Sequence, residues 1–96
     1  MSKESEFYKK LKLSLEETIT FPTNYMFKFI IPTDDGKFKK IDSMFNKLGA
    51  VIKSKLSKNG KFTSLTILVD MESSDQIIEK YQQVGTVEGV ISLWYF

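Results

Sequence analysis

The chain has 96 residues, of which 42% are hydrophobic and 27% charged, with a formal net charge of +2. This is the make-up of one globular domain, long enough to bury roughly 60–70% of its unfolded surface. Cysteine and histidine are both missing and all 14 basic residues are lysine, which excludes disulfides, thiol nucleophiles, imidazole bases, Cys/His zinc sites and the two-pronged grip of a guanidinium on phosphate or guanine.

Acid–base chemistry by Asp, Glu, Lys or Tyr remains open, but no catalytic residue stands out, and neither a metal nor a cofactor is expected. The N-terminal MSKESEFYKKLKLSLEE scatters charges where a signal peptide needs an apolar run, and no segment approaches 18 apolar residues. A cytoplasmic protein without membrane contact is the expectation.

Residues 5–17 place Phe7, Tyr8, Leu11 and Leu15 at helical spacing, although Leu11, Leu13 and Leu15 also alternate like a strand; a helix is favoured. After Pro22, the aromatic and β-branched NYMFKFII of residues 24–31 predicts the first strand. PTDDG then makes a turn in which Asp34 or Asp35 can cap a helix with Phe38, Ile41, Phe45 and Leu48 on one face, closed by Gly49. Residues 50–58 and 61–70 form a hairpin about Asn59-Gly60, a pair suited to the two positive φ angles of a type I′ turn. Ser73 to Gln76 reads as a capping box opening a helix that buries Ile77, Tyr81 and Val84 and stops at Gly85. GVISLWYF, residues 89–96, is the last strand.

The order βαββαβ from residue 21 onward, with right-handed crossovers, predicts a ferredoxin-like α+β sandwich: four antiparallel strands in the order 4-1-3-2, two helices on one face, the other face open. Residues 1–20 are a helical extension to the domain of residues 21–96. A two-residue hairpin loop sets Leu56 against Thr63, Ser54 against Leu65 and Ile52 against Ile67, and opposed residues share a face. Ala50, Ile52, Leu56, Leu65, Ile67 and Val69 then point to the helices with Tyr25, Phe27, Phe29 and Ile31. The open face collects Met26, Lys28, Ile30, Val51, Lys53, Lys55, Ser57, Phe62, Ser64, Thr66 and Leu68. The N-terminal helix is available to cover part of it with Phe7, Leu11 and Leu15.

Charge is uneven along the chain. Residues 37–61 hold eight lysines against Asp42 alone, whereas residues 70–88 hold five carboxylates against Lys80. Such asymmetry steers an acidic partner, although lysines on an outer strand face also serve solubility and discourage edge pairing.

FPTNYMFKFIIP, SKNGKFTSLTILVDMES, QIIEKYQQV and VEGVISL, in that order across residues 21 to 93, together resemble the YbeD-like family of small bacterial proteins. The resemblance implies a ferredoxin-like fold similar to ACT regulatory domains, which bind amino acids, and it implies no reaction. Carried over to this chain, the ACT ligand loop falls on Thr33-Asp34-Asp35-Gly36, without the usual Pro-Gly. Its helix N-terminus offers amides to an anion, while Asp34 and Asp35 favour an ammonium; the same residues also suffice as a plain helix cap.

Three functions follow as expectations. The first is a non-enzymatic regulatory or protein-interaction module, with Asp34, Asp35 and Gly36 as a small-ligand site and Lys28, Lys53, Lys55, Ser64 and Thr66 as a surface for an anionic partner. The second is weak electrostatic nucleic-acid binding, because RNA-recognition motifs share this chain path; the aromatic stacking pair of those domains is missing from the middle of the open face. The third and least supported is an enzyme. A homodimer through the uncharged last strand, at Ile91, Leu93 and Trp94, is the expected assembly.

Overall fold

Alternation of large apolar and polar residues builds the sheet. In the computed structural model, which describes residues 3–93 and the side chains of residues 6–93, TNYMFKFIIP forms β1 (Thr23–Pro32), with Tyr25, Phe27, Phe29 and Ile31 all buried. β3 (Phe62–Met71) buries Thr63, Leu65, Ile67, Val69 and Met71 in the same rhythm. The two pair antiparallel along their whole length, from Thr23 opposite Met71 to Pro32 opposite Phe62. β2 (Val51–Leu56) lies on the far side of β3, and β4 (Ile91–Leu93) pairs with residues 28–30 of β1. The order β2-β3-β1-β4 is the expected one read from the opposite edge.

Two helices cover the inward face. α2 (Asp35–Phe45) contributes Ile41 and Phe45, and α3 (Ser74–Gly85) contributes Ile77, Tyr81 and Val84, all in one cluster with the inward strand residues. The fold is thus a ferredoxin-like α+β sandwich. At its centre the hydroxyls of Tyr25 on β1 and Tyr81 on α3 lie 2.8 Å apart, so two polar atoms that burial would otherwise penalise satisfy each other. Burial also pushes the ionisation of both phenols above the ordinary tyrosine range.

The helix starts follow their local chemistry. Asp34 is the cap of α2, its Oδ1 accepting from Lys37 N at 2.9 Å. Ser73 Oγ accepts from Gln76 N at 3.2 Å, and Gln76 Oε1 returns to accept from the amide of Glu72, one residue before the cap, at 2.7 Å. The helix ends depart from expectation. α2 stops at Phe45, and a 3-10 turn over Asn46–Leu48 swings Leu48 out of line with Ile41 and Phe45, leaving it exposed. Gly85 is an ordinary last helical residue, capped by right-handed Thr86. The left-handed glycine of this loop is Gly89 (φ 81), where a Cβ would stand only 2.8 Å from Pro32 Cγ.

The N-terminal helix, α1 (Lys3–Thr18), lies beside α3 in the helical layer and does not cover the open face. Leu11 and Leu15 are buried in the common core while Leu13 is 59% exposed, so the 3.6-residue spacing prevails over the alternation. Phe7 also stays exposed. Polar contacts fix the docking: Lys12 Nζ lies 2.9 Å from Asp75 Oδ1, and Ser74 Oγ donates to Glu16 Oε1 at 2.9 Å. Both reach the N-terminal turn of α3.

The hairpin keeps the expected register, with Leu56 opposite Thr63, Ser54 opposite Leu65 and Ile52 opposite Ile67. Its turn is different. Gly60 N donates to Ser57 O at 2.9 Å, and of the two turn residues only Gly60 (φ 74) has a positive φ, so Asn59 does not take the first left-handed position of a type I′ turn. Asn59 acts through its side chain instead, Oδ1 accepting from Lys61 N and Ser57 Oγ, both at 3.0 Å. A four-residue loop built this way closes on Ser57 N donating to Phe62 O at 2.8 Å.

Candidate functional site

The open face is laid out by strand register in successive rows. Asn24 and Asp70 face each other at one end, where Asn24 Nδ2 donates to Asp70 Oδ1 at 3.0 Å. Next come Met26, Leu68 and Val51, then Lys28, Thr66 and Lys53 with Leu93 beside Lys28. The fourth row is Ile91, Ile30, Ser64 and Lys55, and Pro32 with Phe62 closes the hairpin end. The proposed anion surface of Lys28, Lys53, Lys55, Ser64 and Thr66 is therefore contiguous. Ser64 is partly engaged, its Oγ donating to Lys55 O at 3.3 Å.

This face is more apolar than its lysines suggest. Val51 is 54% exposed, Ile91 51%, Phe62 45% and Met26 38%. Toward the hairpin end it is concave, forming a groove of about 710 Å³ with Ile30, Phe62 and Ile91 against Ser64, Lys55 and Lys58. Asp70, at the far end, is the one carboxylate on the strand positions of this face. Lys58 is the member that strand alternation does not locate, because it sits in the loop and reaches the groove through the turn geometry. Phe62 is the single aromatic among the described open-face positions, so the middle of β1 and β3 offers no pair of rings for stacked bases.

Ile91 and Leu93 both stand on this face, opposite Ile30 and Lys28. Trp94 lies outside the described residues.

The second expected site is at the start of α2. Asp34 is engaged as its cap, Asp35 occupies the first turn, and a Cβ on Gly36 would come within 3.1 Å of Asp34 Oδ1. The structure brings Asp35 and Phe38 together with Ser54, Leu56 and Thr63 around a groove of about 510 Å³. Sequence reasoning put Leu56 under the helices. It is 59% exposed because β2 is the edge strand and its helix-side Ser54 and Leu56 are left open, and the groove lies between them and the start of α2. Thr63 Oγ1 lies 2.9 Å from Thr33 Oγ1, which ties the floor of the groove to the loop before α2. Asp34 and Asp35 are its only charged lining groups, and they disfavour a carboxylate there.

Among the described residues no group of three or more His, Cys, Asp or Glu side chains is placed to hold a metal ion. Among the described residues no helix is long and apolar enough to cross a membrane.

The family model for a protein of unknown function, DUF493, matches residues 16–93. The chain belongs to the DUF493 family. The matched stretch contains the 21–93 segment that carries the YbeD-like resemblance. A UPF0250 protein of Shewanella halifaxensis is 26% identical over 83 residues, covering 83% of this DUF493 chain and 94% of that protein. The solution structure of protein HP0495 from H. pylori is similar with a TM-score of 0.65 at 23% identity, covering 79% of this chain and 86% of that one. That likeness supports the ferredoxin-like fold of the DUF493 chain. None of these descriptions names a reaction.

Proposed function

We propose that this DUF493 protein is a non-catalytic interaction module whose working surface is the open face of its sheet. The observation that carries this is the exposure of Met26, Val51, Phe62 and Ile91 together on a face that the three helices leave uncovered. Large apolar side chains gathered on one face in contact with water cost free energy and are characteristic of a surface that a partner covers.

Affinity capture from native lysate with the intact chain, a Phe62→Ser/Ile91→Ser double variant and a Leu13→Ser control tests this. A partner retained by wild type and control and lost by the double variant is the expected result. Equal capture by all three, or loss in the control alone, would refute it.

A regulatory layer is supported by one further observation. Leu56 borders both the groove beside Asp35 and the groove on the open face. A small cationic or zwitterionic ligand held between Asp35 and Thr63 would touch the strand end that shapes the partner surface. Titration of labelled protein with individual amino acids, followed by amide shifts at Asp35, Leu56 and Thr63, tests the regulatory layer. No shift at millimolar concentration would remove it.

A further inference from the structure

We infer that the partner of the open face is an acidic amphipathic helix, laid over Ile30, Phe62 and Ile91 with its carboxylates toward Lys55 and Lys58. This rests on the open face being the working surface, and it adds what chemistry that surface selects.

The first argument concerns the backbone. The face of a paired sheet presents side chains only, because its amides and carbonyls are turned sideways into the ladders. A segment buried on such a face must satisfy its own backbone hydrogen bonds, since an unpaired buried amide or carbonyl is costly. An α-helix does so internally, whereas an isolated extended strand on the face does not. The dimensions agree: four strands about 4.8 Å apart span about 14 Å between the outer two, close to the 10–12 Å diameter of a helix with its side chains.

The second argument concerns charge. The apolar floor of the groove is flanked by Lys55 and Lys58, with Lys53 one row away, and its hairpin end bears Lys61 in the loop. The one carboxylate on the strand positions of the face, Asp70, lies at the opposite end and is bonded to Asn24. Both exposed lysines at the groove gain from carboxylates on the flank of an incoming helix, and both repel a basic one. A second copy docking face to face with its groove opposed would set Lys55 and Lys58 against the same lysines. The same positive charge thus disfavours the protein itself as occupant.

Two synthetic 18-residue peptides provide the test. They share leucines at i, i+3, i+4 and i+7 spacing and differ in carrying only Glu or only Lys on the flanks. Each is titrated into the intact, isotopically labelled chain and followed by amide shifts, with wild type, Lys55→Glu/Lys58→Glu and Phe62→Ser compared. The glutamate peptide should shift residues 28–32, 62–66 and 91–93 and bind about tenfold or more tightly than the lysine peptide. The charge-reversed variant should invert that preference, Phe62→Ser should weaken both peptides, and salt should weaken the charged preference as screening shortens from about 10 Å at 0.1 M to about 3 Å at 1 M.

Equal binding of the two peptides, binding confined to the helical layer, or no binding of the glutamate peptide at millimolar concentration would each overturn the inference. Those outcomes leave the interaction role itself to the lysate capture, in which the partner lost from the Phe62→Ser/Ile91→Ser variant need not be acidic. Shifts at Lys55, Phe62 and Ser64, away from the β4 edge, that appear on concentrating the protein without peptide would identify a second copy as the occupant and overturn it as well.

Discussion

Ile30 and Ile91 stand opposite each other across the β1–β4 pair, on the side of the sheet away from the helices, and Ile91 is half exposed there. Ile30 is partly buried there, whereas Ile91 keeps about half of its surface in water, so part of this aliphatic pair is left uncovered by the fold. In the proposed role, that uncovered surface is what a partner contacts.

That difference is measurable. Ile91→Ser and the loss of either Lys53 or Lys55 to Ala should each change unfolding free energy by less than about 0.5 kcal/mol. Ile67→Ala, at a position with no exposure on the inward face, should cost about 2–5 kcal/mol through lost burial and a residual cavity. Chemical denaturation of the four variants checks both sides of the sheet together. A lysine change more damaging than Ile67→Ala would invert the assignment of faces.

The hairpin turn separates its two residues by mechanism. Gly60→Ala forces a Cβ into the left-handed region and should cost about 1–2 kcal/mol. Asn59→Gly should keep the turn's backbone but lose the acceptor that serves Lys61 N and Ser57 Oγ, a smaller loss of about 0.5–1.5 kcal/mol. Equal tolerance at both positions in thermal melts would contradict this turn geometry.

The Tyr25–Tyr81 pair predicts an alkaline limit. Both folded-state pKa values are raised above the ordinary value of 10.0, chiefly by burial. The folded protein therefore holds these protons more tightly than the unfolded chain does. Stability is unaffected below the ordinary value and falls as pH rises through it, because above it the unfolded chain releases protons that the folded one keeps. Tyr81→Phe should cost about 1–3 kcal/mol by leaving the buried Tyr25 hydroxyl without this partner, and Tyr25→Phe/Tyr81→Phe should recover part of that loss. Denaturation between pH 8 and 11 would contradict the assignment if wild type and double variant lost stability in parallel.

Self-association through β4 gives a further expectation. β4 ends the sheet and residues 89–96 contain no charged side chain, whereas the β2 edge carries Lys53 and Lys55. An uncharged edge invites another strand. Sedimentation equilibrium should show association of wild type at concentrations near about 1 mM, where contacts of about −4 kcal/mol become populated, and its loss in Leu93→Lys. A monomer throughout that range would remove the edge contact.

The sheet was legible in the sequence because period-two alternation over β1 and β3 has one solution: a slip of one residue would expose Phe27 and Phe29 and bury Lys28. The hairpin register was legible for the same reason, even though the turn itself was not. The preference of Asn-Gly for a type I′ turn is local, and here the side chain of Asn59 supports a wider loop that preserves every pairing of Leu56, Ser54 and Ile52. The placement of α1 was not legible. Its apolar stripe shows only that Leu11 and Leu15 need cover, and the open face and the flank of α3 both supply it. The contacts of Lys12 with Asp75 and of Glu16 with Ser74 that distinguish them join residues about 60 positions apart in the chain. The groove beside Asp35 was hidden because it arises where the edge strand β2 is left open on its helix side, which alternation alone does not reveal.

If the lysine-rich hairpin meets nucleic acid, its grip is electrostatic alone. Anisotropy titrations with single-stranded homopolymers should show no base preference and a steep loss of affinity with salt. Salt-resistant, base-selective binding would require a stacking surface that the described open face lacks.

The most direct test of the open face as working surface is hydroxyl-radical footprinting of the intact protein inside cells and after purification. Met26 and Phe62 should be labelled readily in the purified protein and markedly less in cells, while Phe7 and Leu13, exposed on α1, should be labelled equally in both. Unchanged labelling of Met26 and Phe62, with protection at Phe7 or Leu13 instead, would move the interaction surface to the helical layer and contradict the proposal.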